Sequence, residues 1–191
     1  MLLVSEHASA QYAPRTWHNA QAADATVAFA VRFDTAGERL TRRAAADRYL
    51  HAELAADPDT VATELIVGLR QRGARSINVA GNGMQRLAAA GWSQQRANEW
   101  VYAVLQRVHS EIGLCRIVCG GQTGVDLAGA AAGVALGIRT EVMMPKGFLQ
   151  RSASGVDYTQ GRADVERQIE EAAARLIAAG AAMEPDESPS P

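Results

Sequence analysis

Short apolar runs rich in β-branched residues alternate with helical patterns along this sequence, and this alternation strongly constrains the fold. The runs predict five strands, at residues 25–33, 49–54, 76–80, 115–119 and 140–144. Helical periodicity and capping residues predict five helices, at residues 39–48, 60–72, 94–111, 127–136 and 164–179. Strands that are buried on both faces and separated by helices predict an α/β fold, a three-layer αβα sandwich around a mostly parallel sheet.

A single Rossmann-like domain is expected to span residues 1–183, because the length of 191 residues suits one domain. Hydrophobic residues make up 48% of the sequence, which is enough for a sizeable core. Residues 1–10 are predicted to form a loose lead-in. Residues 184–191, rich in Pro, Ser and acidic residues, are predicted to form a disordered tail.

The charge and hydropathy patterns argue against two classes of partner. The formal net charge is −2 and the sequence has no block of Lys and Arg, so nucleic acid is not expected. An apolar run of about 18 residues and a signal-peptide pattern are both missing, which predicts a cytoplasmic protein without a membrane partner. The apolar stripe of helix 94–111 is expected to pack in the core or in the interface of a homo-oligomer.

The two cysteines, Cys115 and Cys119, both fall in the predicted strand 115–119. Strand geometry separates them by about 13 Å, whereas the Cα atoms of a disulfide lie within about 7 Å of each other. Both are therefore expected to be buried, reduced thiols.

A glycine-rich segment gives the strongest indication of function, because it lies between predicted strand 115–119 and a small-residue helix that is expected to begin around Val125. The segment consists of Gly120, Gly121, Gln122, Thr123, Gly124, Val125 and Asp126. Glycines let the backbone approach a phosphate closely, and the helix N-terminus adds partial positive charge. Thr123 is expected to cap the helix or to bind the ligand. Asp126 is better suited to bind a ribose hydroxyl or a metal than a phosphate. The alternative interpretation of the whole segment is an ordinary glycine turn.

Three further glycine-bearing loops are expected at the same edge of the sheet, since parallel strands bring their carboxyl ends together. They contain Thr35 and Gly37; Gly81, Asn82 and Gly83; and Lys146 and Gly147. Lys146 is expected either to reach a phosphate oxygen or to lie in solvent.

Arg15 and Asn19 lie four residues apart and would share one face of a short helix before strand 25–33. The four histidines show no metal-ligand spacing, and no Ser or Cys lies in a recognisable nucleophile setting. The sequence therefore predicts no metal site. It assigns no catalytic residue, with Asp126 the only candidate.

The segment from Gly120 to Asp126 resembles the signature of the molybdenum-carrier-like and YpsA-related proteins of the SLOG superfamily, Rossmann-like relatives of the DprA and LOG proteins. In the molybdenum-carrier-like proteins this signature comes first, and a Pro-Lys-Gly turn, an Arg-Thr…Asn…Asp-Ala-Thr segment and an Asn-Val-Ala-Gly strand follow it. Here the motifs at residues 15–26 and 78–81 precede the signature, and residues 145–147 follow it. The chain thus resembles the circularly permuted YpsA-like SLOG family over residues 12–180.

The resemblance implies a partner that is a phosphorylated nucleotide-type small molecule, such as a nucleoside phosphate, an NAD-related compound or ADP-ribose. The glycine-rich loop would bind or sense it. One alternative is a phosphoribohydrolase-like enzyme in which Asp126 orients the ribose or acts as general base; another is a molybdenum cofactor carrier. The hydrolase motif of LOG enzymes, Gly-Gly-x-Gly-Thr-x-x-Glu, is not matched. The sequence does not identify a cofactor. A divalent cation that binds together with the nucleotide is one alternative.

Overall fold

The computed structural model describes residues 1–181. Eight strands and seven α-helices are found in this part of the chain. The strands are β1 (Leu2–Glu6), β2 (Ala25–Ala30), β3 (Tyr49–Glu53), β4 (Ser76–Gly81), β5 (Arg116–Cys119), β6 (Arg139–Met144), β7 (Gln150–Arg151) and β8 (Asp157–Tyr158). The helices are α1 (Tyr12–Gln21), α2 (Ala36–Ala45), α3 (Pro58–Arg72), α4 (Met84–Ala89), α5 (Gln94–Ile112), α6 (Val125–Ala135) and α7 (Arg162–Ala181).

Six of these strands form one parallel sheet in the order β1-β6-β5-β4-β2-β3, and β7 and β8 form a small antiparallel hairpin. Helix α1 packs against α2, whereas α5 packs against α3, α6 and α7. Right-handed crossovers place these two groups on opposite faces of the sheet. The predicted α/β class and the Rossmann-like three-layer sandwich are therefore confirmed.

The main core lies between the sheet and helices α3, α5 and α6. Helix α6 approaches the sheet closely because its inner face is made of Ala and Gly. A Cβ atom added at Gly129 would lie 2.5 Å from Cγ1 of Val79 on β4. None of the helices within residues 1–181 combines the length and the apolarity that a membrane span requires.

Two predictions at the start of the chain are corrected. Residues 2–6 are not a loose lead-in but strand β1, which pairs with β6 in register Val4↔Val142. Only Val4 is buried in this edge strand, so its local pattern is weak. Strand β2 ends at Ala30 and not at residue 33, because the amides of Val31 and Arg32 donate to the Asn82 side chain instead of continuing the ladder.

Several short elements were not predicted, and one cysteine prediction is wrong. Helix α2 begins three residues before the predicted start at residue 39, and α4, β7 and β8 were missed. Cys119 is buried as expected, whereas Cys115 precedes β5 and is exposed, and both are free thiols. Helix α6 begins at Val125, the start expected from the glycine-rich segment, and thus two residues before the helical range predicted at 127–136. The predicted tail, residues 184–191, lies outside the described residues.

Candidate functional site

The connections of the sheet change direction between β2 and β4. Helix α2 carries the chain from β2 outward to β3, whereas α5 carries it from β4 toward β5, on the other face. Such a switch point opens a crevice beyond the carboxyl ends of the strands. A cavity of about 370 Å³ lies there, with α1 as a further wall. This volume is near the lower end of the roughly 300–1,000 Å³ of small-molecule pockets.

A buried ion pair joins α1 to the first turn of α6 across this cavity. Nη1 of Arg15 donates to Oδ2 of Asp126 at 3.1 Å, and each residue is only 8% exposed. Burial raises the pKa of the Asp126 carboxyl, while Arg15 and the amides of Gln122 and Gly120 oppose this effect. A Cβ atom at Gly120 would lie 1.2 Å from Arg15 Nη1, so the pair requires glycine at this position.

The glycine-rich loop is a structural junction as well as a cavity wall. The amide of Gly124 donates to Oε1 of Gln94 at 2.6 Å, and the amide of Val125 donates to the carbonyl of Asn82 at 3.2 Å. Gly124 has φ +100°, and a Cβ atom there would lie 2.5 Å from the Asn82 oxygen. Two more amides of the loop face the Asp126 carboxylate. Protein groups therefore already use much of the amide cradle that the sequence predicts for a phosphate.

Glu38, in the first turn of α2, is a second buried carboxyl in the cavity. It is 3% exposed, and its amide donates to Oγ1 of Thr35, the N-cap residue, at 3.1 Å. Burial raises the pKa of Glu38 to about 7, and the charge of Asp126 adds to this effect. A hydrogen bond from Asn82 and the charge of Arg86 act in the opposite direction. The cavity therefore holds a carboxyl group that titrates near neutral pH.

Asn82 fixes the position of Glu38 from behind the cavity wall. Its Oδ1 accepts from the amides of Val31 and Arg32 at 3.0 and 3.1 Å. Its Nδ2 donates to the carbonyl of Arg32 at 3.1 Å and to Oε1 of Glu38 at 3.3 Å. These four hydrogen bonds leave only one orientation for the side-chain amide of Asn82. Asn82 therefore binds Oε1 of Glu38, and Oε2 of Glu38 stays available to other partners.

Three residues that line the cavity each contain a buried polar atom without a hydrogen-bond partner among the described residues. They are Nε of Arg15, Oδ1 of Asn19 and Oε2 of Glu38. A fourth such atom, Nδ1 of His109, belongs to α5 and not to the cavity wall. Leaving a buried polar atom unpaired costs about 1–3 kcal/mol. Three of the four unpartnered atoms therefore belong to residues that line this one cavity.

The β7–β8 hairpin is fastened to the glycine-rich loop by side chains of the loop. Nε2 of Gln122 donates to the carbonyl of Leu149 at 2.7 Å, and its Oε1 accepts from the amide of Arg151 at 3.1 Å. The hydroxyl of Thr123 donates to the carbonyl of Arg151. Thr123 is therefore not the cap of α6; Gly124 occupies that position, without a side-chain hydrogen bond.

The structure brings most of the predicted site residues to one place. Those that line the cavity are Arg15, Asn19, Gly37, Gly81, Gly83, Gly120, Gln122, Thr123 and Asp126. Those that belong to the same loops without lining the cavity are Thr35, Asn82, Gly121 and Gly124. The loop with Lys146 and Gly147 lies elsewhere, beside β1. Lys146 is exposed, and the amide of Gly147 donates to Oε2 of Glu6 at 2.6 Å.

Sequence reasoning missed Glu38, Arg86 and Arg151, which also line the cavity. Thr35 and Glu38 have the spacing of a capping box, a pattern that assigns the glutamate to the helix terminus. Here Thr35 caps as that pattern predicts, but the Glu38 carboxyl bonds to Asn82 instead. The pattern therefore locates the start of α2 without revealing the role of Glu38.

No three His, Cys, Asp or Glu side chains within residues 1–181 are placed to hold a metal ion. The chemistry of the cavity consists of one buried ion pair, two carboxyls whose pKa values are raised by burial, and several hydrogen-bonding groups. Comparison of the chain with protein-family models, with curated proteins and with solved structures gave no match, so its function is inferred from the geometry of this cavity.

Proposed function

We propose that this cavity binds a nucleotide or nucleotide derivative. The three unpartnered buried groups of Arg15, Asn19 and Glu38, all in one cavity at the switch point of the sheet, carry this proposal. Parallel α/β sheets bind their ligands at such a point. The volume of about 370 Å³ suits a single nucleoside phosphate better than a dinucleotide. Membership of the circularly permuted YpsA-like SLOG family, and the ligand class that it implies, form part of the same proposal.

The phosphate would bind at the rim of the cavity and not in its depth. The buried Asp126 and Glu38 occupy the depth, where the negative charge of Asp126 would repel a phosphate. Arg86 is an exposed cation in the cavity lining, close enough to lower the pKa of Glu38. Arg151 also lines the cavity, but it already makes two hydrogen bonds of 2.7 and 3.0 Å to Asp157. Arg86 is therefore the better phosphate ligand.

A thermal-shift screen followed by calorimetry tests this function. AMP, ATP, GTP, NAD and ADP-ribose would be compared on the wild type, Arg86→Gln and the control variant Arg175→Gln, whose side chain is 65% exposed on α7. A ligand at about 100 times its Kd stabilises the fold by about 2.7 kcal/mol. Loss of a charged hydrogen bond in Arg86→Gln should weaken phosphate-bearing ligands by about 10-fold or more, with adenosine itself unaffected. Failure of every nucleotide to stabilise the wild type would refute the proposal.

A nucleotide glycosidic hydrolase is the second candidate, and the carboxyl pair of Glu38 and Asp126 favours it. Burial raises the pKa of both carboxyls, to about 7 for Glu38, and the buried cation of Arg15 opposes this rise for Asp126. Two carboxyls with different environments suit acid and base roles. Glu38 would give its proton to the base as the glycosidic bond breaks, and Asp126 would orient the ribose and accept the proton of the water whose oxygen bonds to the anomeric carbon.

The assay for this second candidate is the release of free base and ribose phosphate from any nucleotide that binds. Activity should be lost in Glu38→Gln and Asp126→Asn and retained in Glu64→Gln, an exposed carboxyl on α3. A nucleotide that binds and remains intact after prolonged incubation would leave binding or sensing as the function.

A further inference from the structure

We propose that the depth of this cavity recognises the vicinal hydroxyl groups of a ribose, so that the protein selects ribonucleotide-type ligands over their deoxy counterparts. This inference rests on the proposed nucleotide site and names the part of the ligand that the buried groups of Arg15, Asn19 and Glu38 would contact.

The three unpartnered atoms require a ligand that offers both hydrogen-bond donors and hydrogen-bond acceptors. Oδ1 of Asn19 is an acceptor and Nε of Arg15 is a donor, whereas Oε2 of Glu38 accepts when the carboxyl is ionised and carries the donor proton when it is neutral, because Oε1 already accepts from Asn82. A phosphate offers only acceptors, and an ammonium group offers only donors. A hydroxyl group donates one hydrogen bond and also accepts, so a pair of hydroxyls on neighbouring carbons can meet both kinds of demand.

Each of the three side chains is held in place without a ligand. Nδ2 of Asn19 donates to the carbonyl of Met143 at 3.5 Å, which leaves Oδ1 as its free atom. Oε1 of Glu38 accepts from Asn82, and Arg15 is tied to Asp126. Groups that are fixed in advance cannot easily turn to compensate for a missing hydroxyl, and such sites discriminate strongly.

The charges in the depth of the cavity also favour neutral hydroxyls over an amine. The cation of Arg15 offsets the charge of Asp126 at 3.1 Å. Glu38 holds its proton up to a pKa of about 7, so it does not demand a positive partner near neutral pH. Exposed Arg86 at the rim would take the 5′-phosphate while the ribose hydroxyls point inward.

Calorimetry with matched sugar phosphates tests the inference on the unmodified protein. The probes are ribose 5-phosphate, 2-deoxyribose 5-phosphate, AMP, 2′-deoxy-AMP and 3′-deoxy-AMP, with spermidine as the amine probe. Each missing hydroxyl should weaken binding by about 10- to 100-fold, since it leaves a buried group unpaired. Equal affinity for ribo and deoxy probes, or preferential binding of spermidine, would overturn the inference while nucleotide binding could still stand. If neither ribo nor deoxy probes bind, both this inference and the proposed function fail.

Two substitutions locate the recognition. Glu38→Met removes the carboxyl group and Asn19→Ala removes the amide acceptor, and each should reduce the preference for ribose to within about threefold. The control variant Glu64→Gln should keep the full preference. A preference that survives in both Glu38→Met and Asn19→Ala, with circular dichroism showing that they are folded, would place the recognition outside these groups and refute the assignment.

Discussion

Glu38→Gln is expected to change how the stability of the protein depends on pH. The pKa of Glu38 is about 7 in the folded protein, against an ordinary value of 4.5, because the carboxyl is buried and lies near the charge of Asp126. The folded state therefore binds the proton more tightly than the unfolded chain does. The resulting stability is fully present below about pH 4.5 and is lost as the pH rises through about 7.

The size of the effect follows from the two pKa values of Glu38. The difference between about 7 and 4.5, at about 1.36 kcal/mol per pH unit, corresponds to about 3 kcal/mol of unfolding free energy. Glutamine is neutral at every pH, and its Oε1 can still accept the hydrogen bond from Asn82. The variant should therefore match the wild type below about pH 4.5, exceed its stability by about 1 kcal/mol at pH 5 and exceed it by about 3 kcal/mol at pH 8.

Urea unfolding of the ligand-free protein, followed by circular dichroism at pH 5, 6, 7 and 8, measures this difference directly. Other groups also titrate in this range, so the comparison between wild type and Glu38→Gln is the informative quantity. Glu64→Gln makes the same chemical change on the exposed surface of α3 and should give a curve parallel to that of the wild type. Parallel curves for Glu38→Gln and the wild type would refute the reasoning from burial.

Three further substitutions test the packing around the cavity, the first two by urea unfolding at pH 7 and the third by limited proteolysis. Asp126→Asn leaves Arg15 as a buried charge without its partner and should cost about 3–5 kcal/mol; a cost below about 1 kcal/mol would mean that the pair is solvated. Gly129→Ala places a Cβ atom 2.5 Å from a side chain of β4 and should cost about 1–3 kcal/mol, whereas Gly180→Ala meets nothing within 4 Å and should not destabilise. Gln150→Leu removes four side-chain hydrogen bonds, one of them to the glycine-rich loop, and should increase proteolysis of the β7–β8 hairpin; unchanged cleavage would show that these bonds do not hold it.

The elements that were predicted well are those whose signals are local. Helix α3 was predicted at residues 60–72 and spans Pro58–Arg72, where Asp57 caps its start and Gly73 follows its last residue. Strand β1 was missed because it is an edge strand of five residues with only Val4 buried. Its strand structure depends on pairing with β6, more than 130 positions away along the chain. Helix α4 has six residues, too few for a helical period to be recognised.

The candidate site likewise has some features that a local sequence pattern identifies and others that depend on the tertiary structure. Local pattern identifies the glycine-rich loop and the start of α6 at Val125, because a strand, a glycine turn and a helix are encoded by neighbouring residues. The pairing of Arg15 with Asp126 spans 111 positions, and that of Asn82 with Glu38 spans 44. Strand order and crossover handedness bring these groups together, and their burial sets their protonation. Both properties depend on the assembled sheet and its helices, so no local pattern in the chain contains them.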